Sequence, residues 1–77
     1  MTTVVGGLAV AALLVYVLEL GRPIRDGREQ SEINHRFGVQ HHAALILFAG
    51  GLLERDALTG ERWLTERGRA RAERAHS

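Results

Sequence analysis

MTTVVGGLAVAALLVYVL, residues 1–18, contains no charged side chain; the first in the chain is Glu19. As a continuous helix this run would reach roughly 27 Å, close to the ~30 Å of bilayer hydrocarbon. A cleaved secretory leader would carry its basic residues before the apolar run, whereas here Arg22, Arg25 and Arg28 follow it. Gly21, Arg22 and Pro23 supply a helix stop, and Tyr16 and Glu19 fall in the last turns, where an interface would accept an aromatic ring and a carboxylate. The spacing therefore predicts a transmembrane helix over residues 1–21. The competing reading is a helix buried at the centre of an oligomer.

Outward from that run, the arginines set an orientation. All ten Lys/Arg positions are arginine and all follow residue 21. The positive-inside tendency then predicts an N-terminus outside and a cytoplasmic C-terminal tail. A second apolar stretch, within FGVQHHAALILFAGGLLERD (residues 37–56), has about eleven strictly apolar or glycine positions, fewer than the ~20 a spanning helix needs. It is expected to be re-entrant, interfacial or a short second span.

These readings divide the chain into a transmembrane helix (1–21), a polar connector with a short amphipathic helix (22–38), a second apolar helix (39–58) and an arginine-rich tail helix (59–77). Asp26 and Glu29 stand at capping-box spacing before Ile33 and Phe37, and Gly38 follows as a helix stop. The expected class is an all-α small membrane protein. With 77 residues and no cysteine, disulfide frameworks, thiolate metal sites and cysteine nucleophiles are excluded.

Small residues suggest helix-packing positions at Gly7, Ala9, Ala11 and Ala12 in the first helix and at Gly50 and Gly51 in the second. Tyr16, Trp63, Arg67, Arg69, Arg71 and Arg74 are the expected contacts with lipid headgroups or a partner protein. Nucleic acid ranks behind both, because Glu66 and Glu73 interrupt the tail arginines and no series of aromatic residues accompanies them. His35 and His42 would share a face only if one helix ran through Gly38, so the histidines read as boundary residues more readily than as haem or metal ligands. No cofactor is expected. The function expected from these features is a non-enzymatic structural or accessory subunit of a larger membrane assembly, or a homo-oligomer within one. A virion membrane or shell component and a haem-binding redox subunit using His35, His41 or His42 are the alternatives.

Overall fold

The computed structural model describes the backbone of residues 3–76, and their side chains except those of residues 3–7 and 42. Four helices and one hairpin follow in order: α1 (Thr3–Leu20), α2 (Gly27–Arg36), α3 (His41–Ala49), β1 (Leu53–Arg55), β2 (Arg62–Leu64) and α4 (Glu66–His76).

The uncharged opening run does form a helix, but one side of it packs into the chain's own core. Leu13 and Leu14 are fully buried, with Val10 and Val17 nearly so, against Ile33, Val39, Leu47, Leu52, Leu53 and Ala72 from later elements. Among the described residues no helix is long and apolar enough to cross a membrane. The transmembrane assignment is therefore corrected, and the outside–cytoplasmic orientation derived from it falls too. The physical reason is that a helix which builds the core of a small fold can carry the same uncharged run as a lipid-embedded helix, while burying only one side of it.

The second apolar stretch yields only nine helical residues, roughly 14 Å of rise. It then turns into a strand. The all-α expectation is corrected here as well: β1 and β2 pair antiparallel, with Leu53 opposite Leu64, Glu54 opposite Trp63 and Arg55 opposite Arg62. A third segment joins the ladder at Ile24, which exchanges two backbone hydrogen bonds with Arg62, of 2.8 and 2.9 Å. β2 thus lies between β1 and the link from α1 to α2. Trp63, expected in a tail helix, is a half-buried strand residue whose indole N–H donates to its cross-strand partner Glu54 at 3.2 Å.

α4 is shorter than the predicted tail helix and packs along α1. Thr65 is placed to start it: its hydroxyl oxygen accepts the Gly68 N–H at 3.0 Å, the hydrogen bond of an N-cap. That hydroxyl also donates to the Gly51 carbonyl. The start of α4 is thereby tied to the end of α3.

Candidate functional site

α2 and α3 are joined by residues 37–40, and local chemistry sets the turn. Asp26 caps α2 by accepting the Glu29 N–H at 2.9 Å. At the other end the Gly38 N–H reaches the His35 carbonyl (3.1 Å) and the Val39 N–H reaches that of Asn34 (2.8 Å). This is the Schellman pattern, in which the residue after the cap takes a positive φ that glycine adopts without steric penalty; Gly38 has φ 68°. α3 ends in the same way at Gly50 and Gly51, with the Leu52 N–H bonded to the Leu47 carbonyl at 2.9 Å. A four-residue glycine turn thus joins two short helices, the order of elements found in helix-turn-helix units. The β-hairpin follows it directly.

Within this unit α3 packs inward through Leu47, with Ala43 and Ala44 half-buried. Its outward stripe, at the helical spacing i, i+4, i+7, is His41, Leu45 and Phe48, flanked by Ile46. Leu45 is 55% exposed, Ile46 48% and Phe48 39%. Gln40 caps α3 by position only: its side chain makes no capping hydrogen bond, so the carboxamide is available to other partners.

A charged cluster braces the start of α2. Arg22 donates to both oxygens of Glu29, at 3.0 and 2.6 Å, and the Arg25 N–H adds a third hydrogen bond at 2.8 Å. The Arg22 hydrogen bonds, and then that from the Arg25 amide, hold the Glu29 carboxyl down at about 2, and the hydrogen bond to Glu29 holds the Arg22 guanidinium above its ordinary value. Because the folded-state value lies below the usual 4.5, Glu29 contributes its full stabilisation above that pH and loses it as the pH falls toward 2. Glu29→Gln is expected to cost about 1 kcal/mol at pH 7, the upper end for a solvent-accessible pair. Thermal unfolding of both proteins between pH 7 and 2 should show the wild-type advantage shrinking to nothing at the acid end.

Arg62 occupies the junction of the site. It is buried, with 9% exposure, and its Nε donates to the Gly60 carbonyl at 2.6 Å. Its guanidinium lies 5.9 Å from the Phe48 ring centre. The same group lies beside Gly27, the first residue of α2: a Cβ there would stand 3.5 Å from Arg62 Nη2.

The residues expected from the sequence to pack or bind are scattered. Ala9 packs against the core, while Ala11 and Ala12 border an open groove of about 610 Å³ between α1 and the C-terminal end of α4; the position corresponding to Gly7 lies outside the described side chains. Tyr16 contacts Phe37 (ring centres 5.4 Å apart), and the Arg36 guanidinium sits 5.2 Å from the Tyr16 ring centre. Arg67, Arg69, Arg71 and Arg74 all lie on α4, away from the α2–α3 turn in sequence. His35 and His41 are exposed on separate helices, and His42 lies outside the described side chains. Among the described residues no group of three His, Cys, Asp or Glu side chains could hold a metal ion. Sequence reasoning passed over Gln40, Arg55 and Arg62. The available signal was the pair of triplets LER and RWL flanking the turn-forming segment DALTGE, which reads as a hairpin once strands of three residues are allowed.

No family model, no curated protein and no solved structure matches this chain.

Proposed function

We propose that the chain is a non-catalytic binding module for duplex DNA, with α3 entering the major groove. The observation that carries this reading is the four-residue turn that joins α2 to α3 and is followed at once by the hairpin. In helix-turn-helix docking the second helix lies in the major groove, its N-terminal residues meet base edges, and the first helix crosses the backbone. At the start of α3, Gln40 and His41 are exposed side chains with hydrogen-bonding capacity. A glutamine carboxamide matches the N6/N7 edge of adenine, and an apolar side chain such as Leu45 matches the thymine methyl. Arg28 on α2 and Arg55 on β1 are exposed cations. The net charge of +1 and the Arg28–Glu32 pair, 3.8 Å apart, favour weak, salt-sensitive binding over a tight complex.

A second reading rests on one observation, the exposure of Leu45, Ile46 and Phe48 on a single short helix. Apolar surface of this kind also suits a partner protein, and the chain would then be an accessory subunit of a larger assembly. Fluorescence anisotropy with a labelled random-sequence duplex separates the two. About three phosphate contacts predict a slope of log K against log salt near −2.7, or about a 40-fold loss of affinity between 50 and 200 mM salt. Leu45→Arg should strengthen duplex binding on the first reading and abolish partner capture on the second. No duplex binding at micromolar protein in 50 mM salt would overturn the DNA reading.

A further inference from the structure

We propose that α1 pairs antiparallel with α1 of a second copy of this chain, through the groove that α1 forms with the C-terminal end of α4. The pairing goes beyond the DNA-binding reading and does not rest on it. Three observations on α1 and its groove lead to it.

The first is that α1 has two apolar sides where the core of a monomer uses one. Val10, Leu13, Leu14 and Val17 face the core. Leu8, Ala12, Val15 and Glu19, spaced four, three and four, stand on the opposite side of the helix at roughly 100° per residue. A surface helix ordinarily carries charge on its outward side, yet this one carries none from Leu8 until Glu19. Leu8 is 66% exposed, Ala12 is exposed and Val15 half-buried. With Phe37 and Ala75 they line the groove of about 610 Å³. An uncharged outward side of this kind marks a contact surface.

The second is the shape of that side. Leu8 stands out from the surface one turn away from Ala12, whose methyl leaves a hollow. In a two-fold pairing every contact occurs twice. A register that sets Leu8 of one copy over Ala12 of the other therefore fills both hollows at once, with the large-against-small fit that lets helices interdigitate. The protrusion and the hollow lie on the same face, so the face is complementary to itself.

The third is charge. α1 has no acidic residue in its first turn and no basic residue in its last, so neither end of its dipole is compensated from within the helix. Glu19 lies at the end where a carboxylate is least favoured, with His76 3.7 Å away. In the register that pairs Leu8 with Ala12, Glu19 of each copy comes to the N-terminal end of the other's α1, where free N–H groups favour a carboxylate. A parallel arrangement would instead set two Glu19 carboxylates side by side. Shape and charge thus select the same occupant, an antiparallel second copy. One helix side and its groove fall below the roughly 1,200 Å² of stable interfaces, so the dissociation constant is expected on the order of 100 µM. At the few micromolar of an unfolding measurement the chain is then a monomer with Leu8 exposed.

The test is sedimentation equilibrium of the full chain from about 10 µM to about 1 mM, where the mean mass should rise from that of one chain toward that of two. Ala12→Arg fills the hollow and sets like charges against each other where the copies meet. Because Ala12 is exposed, this variant should keep the wild-type amide spectrum at low concentration and remain a monomer at about 1 mM. Glu19→Arg is the second variant, and its two effects oppose each other: a cation at the C-terminal end of α1 favours the helix, while the attraction between copies is lost. It should leave the thermal midpoint unchanged or higher and weaken association about fivefold. In a mixture of isotopically labelled and unlabelled chain, intermolecular NOEs should connect the Leu8 methyls to the Ala12 methyl. A wild-type chain that stays monomeric at about 1 mM would overturn the proposal and leave the groove to another occupant. Association undiminished in Ala12→Arg would overturn the assignment to this face. Association undiminished in Glu19→Arg, or intermolecular NOEs from Leu8 to Leu8 in place of Ala12, would overturn the antiparallel register. Duplex binding is read separately by its salt slope, so either reading can fail while the other stands.

Discussion

Gly68→Ala is expected to destabilise the protein by about 3 kcal/mol or more, lowering its thermal midpoint by about 12–24 °C for a domain of this size. In an ordinary exposed helix the same change would stabilise by up to about 1 kcal/mol, because alanine is the better helix former. The sign reverses here because α4 begins against the backbone of Leu52. A Cβ at position 68 would overlap the Leu52 carbonyl oxygen and lie 2.9 Å from its carbonyl carbon and 3.2 Å from its Cα. Those atoms are backbone, held by the Leu52 N–H bond to Leu47 and by the Thr65 N–H bond to the Leu52 carbonyl, so they have no rotamer into which to retreat. Circular-dichroism melts of the two proteins would decide the matter; an unchanged or higher midpoint would mean that α4 does not sit this close to the α3–β1 turn.

Leu13→Ala is expected to cost about 3 kcal/mol, within the range for deleting most of a buried leucine side chain, whereas Leu8→Ala should change stability by no more than about 0.5 kcal/mol. Leu13 is fully buried and Leu8 is 66% exposed, although they stand on one helix five residues apart. A helix wholly surrounded by lipid would not distinguish the two sites in this way. Denaturant unfolding of both variants measures the difference, and equal losses at the two positions would contradict the one-sided burial of α1.

How far these elements were readable in advance differs from one to the next. Asp26 was readable as a cap and Gly38 as a stop, because capping depends on residues within one turn of each other. α1 was readable as a helix but not as a core helix: an uncharged run reports that water is excluded and is silent on whether lipid or protein excludes it. The hairpin escaped notice because strands of three residues are too short to show an alternating pattern, and Arg62 and Glu61 made the approach to Trp63 look like a solvated helix face. The junction was hidden for a different reason. Arg62 lies near Gly27 and Phe48, 35 and 14 positions earlier in the chain, and its pairing with Arg55 depends on a register that only the folded hairpin sets. As one of ten arginines it carried no mark of burial.

The packing of α4 along α1 bears on how the chain is made. Ala72 in α4 shares the core with Leu13 and Leu14 in α1, so during synthesis α1 is made before the helix that covers it. Until the ribosome has released residues 66–76, α1 is an exposed sticky segment, open to chaperones, proteases and neighbouring nascent chains. A release tag or fusion that hinders α4 from docking should therefore lower the yield of folded protein far more than one that leaves α4 free.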